Sequence, residues 1–273
     1  MQKHILLSVV VPIKNIENWE SNIFNNIDIC NNSLENAFEI IFVSSKEPDE
    51  SIQKLKSKLE TNLNTIFVED NSTGIYSAMN KGIITAQGKY IIFLGADDTL
   101  IEDSLKGLIN DFRKDNNCSL ILTEAMLSTD SHKMKKKGNK LACGLAGRVH
   151  WLLASPRIHQ AIIYKKDIIT RFNLKYSTDL DVTSDYIFTS EILAMRPKIK
   201  NINKCLVVYN TTGFSSNYTP AQNYIEHIKG YTNSKILRKY LPLVITARLI
   251  MISCKVLISY YRKLKSLINN LFA

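Results

Sequence analysis

Hydrophobic positions follow two alternating periods along the first hundred residues. Ile5–Val11 is an apolar, β-branched run closed by Pro12, which predicts a first strand. Glu17–Cys30 then places Trp19, Ile23 and Ile27 at helical spacing. Phe38–Val43 is a second short apolar run. Ser51–Leu63 repeats Ile52, Leu55 and Leu59 as a second amphipathic helix, and Thr65–Val68 is a third strand. Gly74–Ala86 reads as a helix, and Tyr90–Leu94, with a glycine on either side, reads as a fully buried strand. Strands that alternate with helices in this way predict an α/β protein with a Rossmann-like, mostly parallel central sheet flanked by helices. Further along, the pattern predicts helices at Glu102–Lys114 and Ser184–Met195 and strands at Ser119–Thr123, Arg157–Tyr164 and Cys205–Tyr209. Gly213-Phe-Ser-Ser-Asn217 is a turn-rich loop. The basic run Lys133-Met-Lys-Lys-Lys-Gly-Asn-Lys140 reads as a solvated loop in preference to a phosphate site. There is no internal repeat.

Candidate chemistry collects at the end of the fourth strand. The run Tyr90–Leu94 stops on the adjacent carboxylates Asp97 and Asp98. Ligands of open α/β sheets bind beyond the carboxyl ends of the strands. Paired carboxylates there suit a hard divalent cation, Mn²⁺ or Mg²⁺. A purely structural alternative is a capping box at Thr99-Leu-Ile-Glu102, with Asp98 favouring the positive end of a helix that starts at Thr99. That accounts for Thr99 and Glu102 and leaves the carboxylate pair unexplained. Neither a G-x-G-x-x-G after the first strand nor a P-loop is present, so a bound diphosphate would lean on a metal and not on a glycine cradle. His159 and Gln160 sit together in Arg157-Ile-His-Gln-Ala-Ile-Ile-Tyr164, two hydrogen-bonding side chains in an otherwise apolar segment. Asp179, Asp181 and Asp185 are equal candidates for a general base on chemistry alone.

Charge divides the chain. Of 273 residues, 35 are Lys or Arg and 25 are Asp or Glu, a net +10. No acidic residue follows Glu226, whereas nine Lys and Arg do. The chain therefore divides into a body of residues 1–226 and a basic tail of residues 227–273. Within the tail, Leu241–Tyr261 is apolar enough to raise the question of a membrane span. Arg248 and Lys255 each cost roughly 2.5–3.5 kcal/mol at a bilayer centre, which offsets the aliphatic gain. Arg248, Lys255, Ser259, Arg262 and Ser266 share one helical face, with Ile250, Leu257, Leu264 and Ile268 opposite. The expectation is a C-terminal amphipathic helix lying in the plane of an anionic membrane surface. Its alternative is a helix packed on the body or on a second copy in a homo-oligomer. Five scattered cysteines make neither a zinc site nor a disulfide framework, which fits a reducing cytoplasm. The short first apolar run ends in Pro12 without a cleavage site and reads as a strand, not a signal peptide.

The stretch Gly74-Ile-Tyr-Ser-Ala-Met-Asn-Lys-Gly82, followed by Ala86-Gln-Gly-Lys-Tyr-Ile-Ile-Phe-Leu-Gly-Ala-Asp-Asp98, resembles family 2 glycosyltransferases, and within them the branch that builds bacterial surface polysaccharides. The likeness starts at Ser8-Val-Val-Val-Pro-Ile-Lys-Asn15. It runs through His159-Gln-Ala, Ser184-Asp-Tyr186 and Thr212-Gly-Phe-Ser-Ser216. The resemblance implies a glycosyltransferase A-type fold and inverting transfer from a nucleotide-diphosphate sugar, with a UDP-sugar as the leading donor, to a lipid-linked saccharide. It implies donor binding by Pro12, Asp70, Asn80, Asp97 and Asp98, and metal ligation by Asp98 with Asp97. Asp185 would be the base, and His159 and Gln160 would lie near the acceptor or the leaving diphosphate. The sequence departs from the family at Phe42-Val-Ser44-Ser45, where a base-contacting Asp is usual, and at Ser77, where the motif usually has Asp. The Q-x-x-R-W of processive members is absent, so one sugar per encounter is expected. A transferase acting on the inner face of the cell membrane is the leading expectation. A non-catalytic sugar-nucleotide-binding relative is the alternative. Nucleic-acid binding is disfavoured, because the tail's apolar face is continuous and no nucleic-acid motif is present.

Overall fold

The computed structural model describes residues 4–35, 37–45, 49–72, 74–114, 118–128, 135–138, 158–211 and 219–246. Its centre is a single sheet. Among the described residues its strands are β1 (Leu7–Pro12), β2 (Phe38–Ser45), β3 (Thr65–Asp70), β4 (Tyr90–Phe93), β5 (Thr99–Leu100), β6 (Leu120–Ser128), β7 (Lys135–Gly138), β8 (Ile162–Lys165) and β9 (Ile199–Asn210). Their order is β3-β2-β1-β4-β8-β6-β9-β5, with β7 pairing to β6. The helices are α1 (Glu20–Leu34), α2 (Glu50–Lys58), α3 (Ile75–Thr85), α4 (Glu102–Lys114), α5 (Lys166–Arg171), α6 (Ser184–Ala194) and α7 (Pro220–Asn233).

Strands β3, β2, β1 and β4 pair in parallel. Both faces of this half are covered, which is why its strands read as unbroken apolar runs. Leu7, Val9 and Val11 of β1 pack with Ile23 and Ile27 of α1, Leu55 of α2 and Leu108 of α4. Val10 faces the other way, with Met79 and Ile83 of α3, Ile169 of α5 and Phe188 of α6. One polar knot interrupts this core. Glu39 accepts hydrogen bonds from the Ser8 hydroxyl at 2.6 Å and from the Gly88 N–H at 3.2 Å, tying the starts of β1, β2 and β4 at the sheet edge remote from the carboxylate pair.

β8 is antiparallel to both β4 and β6, and β9 is parallel to β6. β1, β2, β3, β4, β6 and β9 therefore all point the same way, and β8, lying between β4 and β6, runs against them and enters from their carboxyl edge, as β5 and β7 also do. That reversal carries the residues just ahead of β8 to the edge where the other strands end.

Several expectations change. The predicted strand over Arg157–Tyr164 begins as a 3₁₀ turn at His159–Ala161, and its strand is Ile162–Lys165. The basic run is not a loop throughout: Lys135–Gly138 forms an antiparallel edge strand against Glu124–Leu127. Backbone pairing and an ion pair from Lys136 to the buried Glu124 carboxylate at 2.5 Å carry it, and a lysine-rich strand belongs at an edge. The capping box at Thr99 does not form. Thr99 and Leu100 pair with Val208 and Val207 of β9, and the Thr99 hydroxyl donates to the Asn22 side chain. Helix α4 begins only at Glu102. A capping box does form at Thr219 and Gln222, at the start of α7, a helix the hydrophobic pattern did not announce.

α7 crosses the division expected between residues 226 and 227. Tyr231, Leu237 and Val244 are buried against Leu180 and Ile187 of the body. Residues 241–246 are helical. The amphipathic face expected from residue 248 onward, the Gly213–Asn217 loop, Cys143 and Cys254 lie outside the described residues. Among the described residues no helix is long and apolar enough to cross a membrane.

Candidate active site

The carboxylate pair occupies the turn that follows β4. Asp98 is 1% exposed. Its Oδ1 accepts the Asn210 N–H at 3.0 Å, from the end of β9, and its Oδ2 accepts the Gly95 N–H at 3.1 Å. The turn's backbone is braced from α1. The Asn22 side-chain amide donates to the carbonyls of Ala96 and Asp98, at 2.8 and 2.7 Å. The Asn26 amide donates to the Asp98 carbonyl at 2.8 Å and accepts the Leu100 N–H at 2.8 Å. These asparagines are functional support that the sequence reading missed. Their signal was present: Asn22 and Asn26 stand four apart beside Ile23 and Ile27, on a helix whose neighbours are core.

Burial, aided by the like charge of Asp97, pushes the Asp98 carboxyl up to about 7. Burial also raises Asp97. The two side chains converge over Gly95. A β-carbon on Gly95 would lie 2.5 Å from Asp97 Oδ1 and 2.8 Å from Asp98 Oδ2. Only glycine leaves that space open to the carboxylates. Each Asp98 oxygen accepts one N–H and keeps a second lone pair, so both can still ligate. A buried carboxylate and a half-buried one of like charge, converging over a vacant β-carbon position, fit a divalent cation such as Mn²⁺ or Mg²⁺. Among the described residues no cluster of three or more His, Cys, Asp or Glu forms. The remaining ligands would then come from substrate and water, as is usual for Mg²⁺.

The other predicted residues fall into two groups. His159 and Gln160 lie in the 3₁₀ turn ahead of β8, at the same edge as Asp98. The His159 Nδ1 is 3.4 Å from Asp185 Oδ2, in the first turn of α6. Of the three carboxylates left open by the sequence, Asp185 alone is half-buried and faces His159, while Asp179 and Asp181 are exposed. The position of α6 is set by an aromatic stack. Tyr176 lies flat on Phe188 at 4.2 Å and on Tyr76 of α3 at 5.7 Å, with Phe93 of β4 edge-on at 5.1 Å. The Tyr164 and Thr189 hydroxyls share a hydrogen bond of 2.8 Å between β8 and α6. Asn80 belongs to this framework: its amide donates to the Tyr176 carbonyl at 2.9 Å and accepts the Tyr176 N–H at 2.8 Å.

Pro12 and Asp70 form the second group, at the ends of β1 and β3. Asp70 pairs in register with Ser45. At ~4.8 Å per strand, β3 stands roughly 14 Å from β4. Burial would raise the Asp70 carboxyl, but hydrogen bonds from Ser77 and Ser72 outweigh it and hold the group below its ordinary value. Ser72 and Ser77 thus bind one ionised carboxylate, with Ser45 beside it in register on β2. Ser44 is buried and donates to the Ser45 carbonyl at 3.2 Å.

Residues 8–171 match the family profile described as Glycosyl transferase family 2. Among relatives, a PGL/p-HBAD biosynthesis glycosyltransferase of Mycobacterium tuberculosis is 26% identical over 199 residues, covering 70% of this chain and 72% of that one. A poly(ribitol-phosphate) beta-glucosyltransferase of Bacillus spizizenii is 26% identical over 204 residues, 71% of this chain and 30% of that one. Among solved structures, S. aureus TarS residues 1–349 in complex with UDP-GlcNAc superimposes with a TM-score of 0.65 at 16% identity, over 87% of this chain and 72% of that one. The mannosyltransferase PcManGT from Pyrobaculum calidifontis, in complex with GDP-Man and Mn²⁺, gives 0.61 at 18% identity, over 89% and 68%. These likenesses establish the fold as glycosyltransferase A-like.

Proposed function

This chain belongs to glycosyl transferase family 2, and on that premise we propose that it is a metal-dependent, inverting transferase. It would move one sugar at a time from a nucleotide-diphosphate donor, most simply a UDP-sugar, to a hydroxyl of a lipid-linked saccharide in surface-polysaccharide assembly. The observation that carries the reading is the meeting of three elements at one sheet edge: the Asp97–Asp98 pair over Gly95, His159 ahead of β8, and Asp185 at the head of α6. Solved relatives bound to UDP-GlcNAc and to GDP-Man with Mn²⁺ support the donor class and the ion. The relatives named a PGL/p-HBAD biosynthesis glycosyltransferase and a poly(ribitol-phosphate) beta-glucosyltransferase support the pathway class.

Asp98, with Asp97, would hold Mn²⁺ or Mg²⁺, which when bound neutralises charge growing on the departing diphosphate. Pro12 and Asp70, with the serines around Asp70, form the nucleoside end of the edge. Asp185 takes the proton from the acceptor hydroxyl as the new C–O bond forms and the anomeric bond to the diphosphate oxygen breaks. A single displacement of this kind inverts the anomeric carbon. His159, against Asp185, directs the carboxylate, and Gln160 lies beside it on the acceptor side. Residues 247–273 would bring the enzyme to the inner face of the membrane, where a lipid-linked acceptor is held.

The test is a panel of nucleotide sugars with purified protein, in Mn²⁺, Mg²⁺ or EDTA, read as nucleotide release with and without a lipid extract as acceptor. Metal-dependent release of one nucleotide, lost in Asp98→Ala, is expected. Binding without release, indifferent to EDTA, would overturn the reading in favour of a non-catalytic sugar-nucleotide-binding protein.

A further inference from the structure

Helix α6 starts without a cap of its own. No side-chain hydrogen bond caps it at Thr183, and the hydroxyls of Thr183 and Ser184 are buried without a hydrogen-bond partner among the described residues. Within its first turn the Asp185 Oδ1 accepts the Tyr186 N–H at 2.7 Å, and the chain just ahead of the helix is held by a carboxylate from α7. Glu226 Oε1 accepts the Asp181 N–H at 2.7 Å, and Oε2 accepts the N–H groups of Val182 and Thr183, each at 3.0 Å. Three consecutive backbone donors thus converge on one anion at the positive end of α6, where a negative charge is favoured. One turn further along α7, Lys229 donates to the Asp179 carbonyl at 2.6 Å. On the other side of Asp185, the Tyr186 ring stands edge-on against His227 at 4.4 Å, and its hydroxyl is 3.2 Å from that of Tyr231. α7 therefore grips the chain immediately before and immediately after Asp185.

We propose that Glu226 is a positioning residue for the transfer reaction, fixing residues 181–183, the entry to α6, so that Asp185 is held against His159 and toward the acceptor. The proposal rests on the reading of Asp185 as the base. Both Glu226 oxygens are used as acceptors, so the geometry specifies a carboxylate. A glutamine would turn an N–H₂ donor toward N–H groups that are already donors. The pairing of α7 with α6 does not depend on this charge alone. Leu180, Ile187, Tyr231 and Leu237 form a separate apolar contact between them, and this contact should keep a Glu226 variant folded.

The experiment compares Glu226→Gln and Asp185→Asn with the unaltered full chain, using the donor and metal that support its turnover. For Glu226→Gln the expected result is an unchanged circular dichroism spectrum, a donor KM and nucleotide Kd within about twofold, and a transfer kcat lower by roughly 10- to 100-fold, the cost of about an ångström of misplacement. Equal losses of nucleotide affinity and kcat would overturn the proposal, because they report general loosening. So would a kcat within twofold of the unaltered chain while Asp185→Asn is inactive. Full transfer by Asp185→Asn would instead remove the base assignment itself. Should Glu226→Gln fail to fold, Glu226→Asp, which keeps the charge but withdraws it by one methylene, carries the same expectations.

Discussion

His159 Nδ1 stands 3.4 Å from Asp185 Oδ2, and the opposite nitrogen of the same ring, Nε2, is buried without a hydrogen-bond partner among the described residues. The two side chains come from elements 26 residues apart in sequence, brought together because β8 runs against its neighbours. On the proposed reaction, that contact would orient the carboxylate and leave a second polar atom of the ring for the reacting groups. His159→Ala should lower transfer kcat by up to about 100-fold, the scale of a carboxylate misplaced by about an ångström. His159→Asn, which keeps a donor near Asp185, should retain part of that rate. Steady-state kinetics with both variants checks the order.

Asp98 makes stability depend on pH with a definite sign. Its folded carboxyl is pushed up to about 7, above the unfolded value, so the folded chain holds a proton that the unfolded chain releases. The associated stability is complete below about pH 4 and is lost as pH rises to about 7, at most on the order of 4 kcal/mol at 1.36 kcal/mol per pKa unit. Asp97 and Glu191 are raised by burial and act in the same direction. Metal-free protein should therefore melt at a lower temperature at pH 8 than at pH 5. Asp98→Asn should flatten that slope, and Mn²⁺ should restore the melting temperature at pH 8 in the unaltered chain. Scanning fluorimetry reads all three.

Asn26→Ala removes the acceptor for the buried Leu100 N–H and one of two donors to the Asp98 carbonyl. An orphaned buried donor costs about 1–3 kcal/mol, and that loss should appear in urea unfolding. Because the same side chain braces the carboxylate turn, the variant should also bind Mn²⁺ more weakly when titrated at 25 °C.

Gly82 lets α3 sit directly on β1. A β-carbon there would meet Val10 Cγ1 at 2.2 Å. Gly82→Ala should destabilise the fold by about 1–3 kcal/mol through overpacking. In combination with Val10→Ala the loss should be smaller than the sum of the two single changes, because both act on one space. A double-mutant cycle in urea gives the coupling.

Legibility in the sequence followed the range of the forces involved. β1, β2, β3, β4 and α3 are specified by local burial, and each was visible as a run or a period. Asp98 stood out because a carboxylate pair at a strand end is a local signal, whereas Asp185 was separated from Asp179 and Asp181 only by the family resemblance. What escaped was set by distant partners. Thr99 looked like a helix cap and is a strand residue, because β9 lies beside it. Lys135–Gly138 looked like a solvated loop and is a strand, because β6 offers an open edge. Asn22, Asn26, Asn210 and Glu226 carry no local mark of their roles. Asn22, Asn26 and Glu226 act through their side chains on backbone groups, and Asn210 through its own N–H on a carboxylate, each at least 43 residues away.

The hydrogen bond from Asn210 to Asp98 has a bearing on how the chain comes to fold. The donor is made 112 residues after the acceptor. During synthesis from the amino terminus, the parallel half of the sheet and both carboxylates emerge while the strand that shelters one of them does not yet exist. Asp98 can be sealed from water at its full cost only when β9 docks beyond β6. The desolvation of that charge thus belongs to the last stage of sheet assembly, and a chain interrupted anywhere between the two residues keeps the turn but leaves its carboxylate one N–H donor short.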